Sequence, residues 1–324
     1  MTINSQVEAQ NNATLIGVAT FKRPKQLQEL LESLEKLSWN KVEMPRVEIA
    51  IVDNDADESA RELVEMFTKN SHYPITYLTE SRRGVSHVRN TALEFALSHE
   101  FDFLAFIDDD ETAHTNWLEA LLIRQNETKA GAVFGQVNSQ YNTDAPDWIA
   151  AWRPHAHIIE TDGIPDKPGG TCNVLIDLQA VQNSNIRFDP KMSLTGGEDT
   201  LFFYEMQDAG YTFASAAAAI VDEDIPSNRA QPNWILKRWY RTGMTDLIII
   251  NRHSIGPVVK LKAVLGGLVR LTIGSTAALL FWIANFGKLN KKTMEKLYTA
   301  YRGAGMLSFA FGRTYEEYGS KKSD

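Results

Sequence analysis

The chain is expected to form an α/β fold, a mostly parallel open sheet flanked by helices, followed by a helical C-terminal extension. Short apolar runs alternate with helical patterns along its first half. Several of those runs end in clustered polar residues, above all Asp108-Asp109-Asp110. Beyond residue 254 the composition changes from acidic to basic and apolar.

The first run, Thr14 to Thr20, reads as a strand that ends in the turn Phe21-Lys22-Arg23-Pro24. Pro24 suits a first helical turn, and Leu27, Leu30, Leu31, Leu34 and Leu37 follow at helical spacing. Val47 to Val52 is a second strand, closing on Asp53-Asn54-Asp55. A helix over about 59–69, a short strand Ile75–Leu78 and a helix over about 86–98 come next. Phe103-Leu104-Ala105-Phe106-Ile107 then leads into the aspartates, as a strand covered on both faces would. Ala132–Val137 and Gly170–Ile176 read as further strands, with a Pro/Gly-containing insertion at 142–170 between them. Long irregular loops in compact domains often line a site. The loop ending Gly196-Gly197-Glu198-Asp199 enters a helix over 201–207.

Composition bounds the function. The net charge is −8, but residues 255–324 hold 11 Lys/Arg against 4 Asp/Glu, leaving 22 against 37 in the rest. An acidic body argues against non-specific nucleic-acid binding, which depends on neutralising phosphates. The single cysteine, Cys172, excludes an internal disulfide and fits a reducing cytoplasm. Residues 1–13 are expected to form a loose polar tail without signal-peptide character. From Ala263 to Phe286 the only charged residue is Arg270, with lysines on both flanks. That pattern fits a helix lying in a membrane interface, a buried bundle helix, or a marginal span. Gly303, Gly305 and Gly312 suggest close helix packing or a re-entrant hairpin.

Ligands of parallel α/β sheets bind at the carboxyl ends of the strands, where the aspartates emerge. Adjacent carboxylates repel unless a cation sits among them, and hard divalent ions are often held by carboxylates plus substrate phosphates. The triplet alone fits either a metal–diphosphate site or an acidic helix cap. Asp53 can accept hydrogen bonds from a nucleoside, and Arg83 and Arg89 can donate forked bonds to diphosphate or base; singly, a helix-capping Asp or a solvated Arg is the commoner reading, and their joint placement is what counts. Glu198-Asp199 offers a general base or a helix N-cap. His155 and His157 alternate like a metal pair, but no third ligand accompanies them.

Taken in order, Ala19-Thr20-Phe21-Lys22-Arg23-Pro24, Ile51-Val52-Asp53-Asn54, Gly84-Val85-Ser86-His87-Val88-Arg89-Asn90, Phe106-Ile107-Asp108-Asp109-Asp110-Glu111 and Gly196-Gly197-Glu198-Asp199 resemble the family 2 glycosyltransferases. The resemblance spans about residues 14–245 and is greatest to bacterial members that build exopolysaccharide or other surface glycans. It implies a GT-A fold, with 14–112 binding a nucleotide-diphosphate sugar and 113–254 binding the acceptor; the composition of 255–324, outside the resemblance, makes that region the expected membrane-associating part. It implies metal-dependent inverting transfer using Mg²⁺ or Mn²⁺, held by Asp108 and Asp110 as the outer members of Asp-x-Asp. Thr20, Arg23 and Asp53 would hold the nucleoside, with Arg83, Arg89, Asp108 and Asp109 nearby. Asp199 falls at the position of the family's catalytic base, supported by Glu198.

Two departures refine this. Processive members carry Gln-x-x-Arg-Trp; here Ile235 stands at the glutamine position before Arg238-Trp239, which favours addition of one sugar. Many GT-A enzymes add a late histidine to the metal, but Ile220–Ile225 contains none, leaving Glu223 or the aspartates alone. Trp234, Arg238, Trp239 and Arg241 are expected on the acceptor side, although aromatic residues at helical spacing are more often core. The expected setting is the inner face of the cytoplasmic membrane, with a UDP-sugar donor and a glycan or lipid-linked acceptor. The rival expectation is a non-catalytic nucleotide-sugar-binding scaffold. A nucleotidyltransferase would need a Gly-rich phosphate loop after the first strand, which is missing.

Overall fold

The structure is a computed structural model and describes residues 12–165, 167–253 and 257–313. The expected N-terminal tail lies outside them except for Asn12 and Ala13. The described residues form two compact units. One comprises residues up to Asn138, His157–Ser193 and Glu198–Glu223; the other comprises Ser139–Ala156, Leu194–Gly197 and residues from Asp224 on.

The first unit is built on an eight-stranded sheet. Its strands are β1 (Thr14–Thr20), β2 (Val47–Asp53), β3 (Ile75–Thr79), β4 (Phe103–Ile107), β5 (Glu111–Ala113), β6 (Ala132–Tyr141), β7 (Asn173–Asp177) and β8 (Phe213–Ile225). Their order is β3-β2-β1-β4-β7-β6-β8-β5. The β3-β2-β1-β4 half is parallel, and β7 begins the antiparallel pairings. In β1, Ile16 and Val18 face one layer and Leu15 the other, as strand alternation requires. The first layer holds α1 (Pro24–Leu34), α2 (Arg61–Thr68) and α4 (Trp117–Thr128), through Leu27, Leu30, Val64, Trp117 and Leu121. The second holds α3 (Val85–Ser98), α6 (Leu178–Ser184) and α7 (Glu198–Asp208), through Ala92, Leu93, Val181, Phe202 and Phe203. Helices on both faces explain why β1 and β4 are so largely apolar.

Register aligns the functional edge. Thr20 pairs with Asp53 and Asp53 with Thr79, while Gly17 pairs with Phe106 one residue before β4 ends. The polar residues following β1, β2, β3 and β4 therefore emerge along one edge. The expected strand at 170–176 is displaced to Asn173–Asp177, after a turn at Thr171-Cys172. The 142–170 insertion is less irregular than expected. It contains α5 (Asp147–Trp152) and backbone bridges from His157 to Val137 and from Gly163 to Ser215.

The second unit contains α5 and three long helices, α8 (Pro232–His253), α9 (Pro257–Ala284) and α10 (Lys291–Ala310). Its core joins Trp148, Ile149, Ile235, Trp239 and Met294. Glycines let the helices approach closely: a Cβ on Gly243 would collide with the Arg302 carbonyl, and one on Gly305 with the Tyr240 carbonyl. Gly303 meets the Gly267 carbonyl in the same way. The expected close packing is thus present at Gly303 and Gly305. Gly312 instead adopts φ +76° after the end of α10, with open space around it. Helix α9 is long and apolar enough to cross a membrane by length and composition, and only 17% of its most apolar stretch is buried.

Candidate active site

The aspartate triplet occupies the turn joining β4 to β5 rather than a helix cap. Asp109 is buried and accepts a 2.8 Å bond from the Thr20 hydroxyl and a 2.9 Å bond from Arg23 Nη1. The same Arg23 nitrogen reaches Asp110 Oδ2 at 2.7 Å. Asp108 is fixed from below, because Glu111 Oε2 accepts its backbone N–H at 2.9 Å. Glu111 in turn pairs with Glu223 across β5 and β8.

This crowding shows in the protonation equilibria. Desolvation pushes the Asp109 carboxyl up to about 6, with Arg23 opposing and Asp110 adding to the rise. Asp108 keeps 40% of its side-chain surface open, yet the surrounding protein still raises it above the usual carboxylate range. Desolvation leads there, Arg89 opposes it, and the charges of Asp110 and Asp199 add to it. Glu111 is pushed well above its usual value by burial and then by Asp108. Burial also pushes up the Cys172 thiol, with Glu111, Asp108, Asp199 and Glu223 adding to the rise, so it is held as the neutral thiol. The site is an oxygen-rich concentration of negative charge, the donor chemistry a hard divalent cation takes. The carboxylates of Asp108 and Asp110 are oxygen donors of the kind such a cation takes. Among the described residues no group of three or more His, Cys, Asp or Glu is arranged as a complete metal site.

Arg89 connects the triplet to the start of α7. It lies on the buried face of α3 with Val88, Ala92 and Leu93, and is 8% exposed. Its guanidinium pairs with Glu198 through Nη1 and stands 3.6 Å from Asp108 Oδ1 through Nη2. Gly84, at φ +124°, precedes α3 and lies against Ser193, whose carbonyl accepts the Val85 N–H at 3.2 Å. A side chain at Gly84 would run into the Ser193 backbone. Gly196 and Gly197 adopt φ +74° and +86°, a region that favours glycine, and α7 begins at Glu198. Asp199 therefore lies inside the first helical turn instead of capping a helix at Thr200. Its Oδ1 accepts the Thr200 N–H at 2.6 Å, and its Oδ2 faces Gly170, where a Cβ would come within 3.0 Å.

The remaining expected residues have other partners. Asp53 is wholly buried; its carboxylate accepts bonds from Asp55 N–H, Ala60 N–H and the Tyr77 hydroxyl at 2.8, 2.9 and 2.8 Å. It organises the loop after β2. Arg83 is exposed and lies over the Phe21 ring, 5.5 Å from its centroid. His155 contacts Tyr141 and stacks on Trp234, whereas the His157 backbone pairs with Val137. Trp239 packs against Trp152 and Tyr298, and the Arg238 guanidinium lies 5.5 Å from the Trp234 ring centroid.

Sequence reasoning missed Asn54, Tyr77 and Glu111 as builders of the site. The Asn54 amide donates to the carbonyls of Glu80 and Arg82 and accepts the Gly84 N–H, tying the β2 and β3 loops to α3. A polar residue directly after a strand-end aspartate was the available signal.

Comparison with known proteins agrees with this geometry. The model of glycosyl transferase family 2 matches residues 15–176. The succinoglycan biosynthesis protein ExoM of Rhizobium meliloti strain 1021 is 34% identical over 309 residues, covering 95% of this chain and 96% of that protein. The glucosyl-dolichyl phosphate glucuronosyltransferase of Haloferax volcanii is 27% identical over 139 residues, covering 43% of this chain and 39% of that protein. Crystal structures of S. aureus TarS 1–349, alone and in complex with UDP-GlcNAc, share the fold with TM-scores of 0.52 at 15% identity. Each covers 93% of this chain and 92% of that one. The chain belongs to glycosyl transferase family 2 and is a glycosyltransferase.

Proposed function

We propose that this glycosyltransferase moves one sugar, with inversion, from a UDP-sugar to a glycan or lipid-linked acceptor in bacterial polysaccharide synthesis. The observation that carries the reading is the meeting of Asp108 with Arg89, Glu198 and the charge of Asp199 at one sheet edge. A binding scaffold needs a donor pocket but no base, so this convergence favours an enzyme. The kind of product is suggested by ExoM, whose name refers to succinoglycan, and the donor nucleotide by TarS, solved with UDP.

In this reading residues 14–112 form the donor half and 113–254 the acceptor half. Thr20, Arg23, Asp53, Arg83, Arg89, Asp108 and Asp109 form the nucleotide-sugar side, with Asp53 acting through the loop it holds. Asp108 and Asp110 would hold Mg²⁺ or Mn²⁺, which when bound neutralises charge on the leaving diphosphate, worth several kcal/mol in comparable chemistry. Asp199 accepts the proton of the acceptor hydroxyl as its oxygen bonds to the anomeric carbon. The anomeric bond to phosphate breaks on the opposite face, and its electron pair leaves with the nucleoside diphosphate. Arg89 and Glu198 hold the start of α7, and with it Asp199, against the triplet. Residues 255–324 attach the enzyme to the inner face of the cytoplasmic membrane through the exposed face of α9.

A panel of nucleotide sugars, screened with Mn²⁺ by thermal shift and then by diphosphate release, tests the proposal. One UDP-sugar should raise the melting temperature and turn over when an acceptor is supplied. Binding without diphosphate release from any donor, with lipid-linked and glycan acceptors present, supports the scaffold reading instead.

A further inference from the structure

Within the second unit, α9, α10 and Tyr240 of α8 enclose an open groove of about 570 Å³. Its walls include Leu271, Ser275, Leu279, Trp282, Leu297 and Tyr301, and no charged side chain lines it. From Leu271 to Trp282 it runs about 16 Å, at the 1.5 Å rise per residue of a helix. Leu279 and Trp282 are exposed beside the groove, as are Leu280 and Ile283. Grooves of this size and lining suit a single apolar chain.

One end of the groove is electrostatically distinct. Lys288, Lys291 and Lys292 are exposed around Leu289 and Thr293, and no acidic residue occurs from 285 to 294. Asn290 caps α10 there, accepting the Thr293 N–H at 2.9 Å. Cations at a helix N-terminus oppose its dipole, so these lysines weaken the helix they begin. Their placement makes sense when an anion sits among them, where the dipole and the lysines act together. Trp282 stands at the same end, and tryptophan favours the headgroup level of a bilayer.

We infer that this groove binds one acyl chain of an anionic phospholipid, with its phosphate held by Lys288, Lys291, Lys292 and the start of α10. The inference rests on the membrane-face reading above. A second copy of the chain is a poorer occupant, because the same cations would face one another. The lipid would extend the apolar surface of α9 beside the bilayer, while the exposed face of α9 and the lysines carry the attachment. The flanking lysines would confine attachment to anionic surfaces, each contributing about 5-fold to binding.

The test uses the full chain with vesicles of phosphatidylcholine, with or without phosphatidylglycerol, read by flotation and by native mass spectrometry of protein released into detergent. Wild type should float with the anionic vesicles and retain one phosphatidylglycerol. Ser275→Trp, on an exposed groove position, should cut retained lipid at least 10-fold while changing flotation less than 2-fold. The triple variant Lys288→Gln/Lys291→Gln/Lys292→Gln should lose about 10²-fold in anionic-vesicle binding. Should Ser275→Trp melt early, Leu279→Gln serves as the second groove variant. Flotation with no retained lipid, or retention unchanged in both groove variants, overturns the groove and leaves membrane attachment standing. Retained lipid without flotation overturns the attachment and supports the groove, and absence of both overturns both. Equal retention of phosphatidylcholine overturns the phosphate contact.

Discussion

Replacing Arg89 by methionine removes the buried guanidinium that joins Asp108 of the triplet to Glu198 at the start of α7. Glu198 is 3% exposed, so the substitution removes a guanidinium from a carboxylate held in the interior. Removing one partner of a buried pair costs about 3–5 kcal/mol, because the desolvation of the other persists while that attraction is lost. That is a large share of the about 5–15 kcal/mol that holds a typical domain together. Replacing both partners by apolar residues of similar volume removes the stranded charge, and such double changes are often neutral. Arg89→Met/Glu198→Met should therefore recover most of the stability lost by Arg89→Met, yet stay catalytically impaired because nothing then steers the start of α7. Urea denaturation of wild type, both single variants and the double variant completes a thermodynamic cycle. The expected coupling is several kcal/mol. A cost below about 1 kcal/mol for Arg89→Met, or a double variant equal to the sum of the singles, would refute the pairing argument.

Asp110→Ala should weaken Mn²⁺-dependent donor binding, and calorimetric titration that matches wild type would remove Asp110 from the metal role. His155 provides a pH signature. Burial, then Arg238 and Arg229, depress its imidazole to about 3, so it stays neutral in the folded protein while the unfolded chain protonates near 6.5. Its contribution to stability is therefore present above about pH 6.5 and lost progressively as pH falls towards 3. Between pH 7 and 5 the loss amounts to about 2 kcal/mol, and His155→Phe should shrink the acid-side fall in unfolding free energy, read by urea denaturation, by that amount. Equal slopes in the two proteins would contradict it.

The parallel half of the sheet was legible because β1, β2 and β4 are buried and rich in Ile, Val, Leu and Phe, as strands covered on both faces are. β8 was not legible. Its sequence, Phe-Ala-Ser-Ala-Ala-Ala-Ala-Ile, is dominated by alanine, which is depleted in strands, and its pairing partners supply the order that propensity does not. The ends of β1, β2 and β4 located the site residues because parallel strands must deliver their following loops to one edge. What sequence could not show was who pairs with whom. Arg89 stands on an apolar helix face, which announces a buried charge needing a partner, yet that partner lies 109 residues away. Asp53 reads as an open acceptor in sequence, whereas three internal donors occupy it. Thr20 and Arg23 likewise both donate to Asp109, and Arg23 to Asp110 as well, a network that only tertiary geometry reveals.

The central claim is that Asp199 is the base that activates the acceptor. Asp199→Asn keeps the size and the Thr200 contact while removing the proton acceptor. Turnover of a matched UDP-sugar and acceptor, measured with Mn²⁺ at saturating donor, should fall by about 10²–10⁴-fold. Donor affinity, measured by calorimetry on the same protein, should stay within about 3-fold of wild type, since a base contributes to proton transfer and not to donor binding. Turnover near the wild-type rate with donor binding intact would contradict the account.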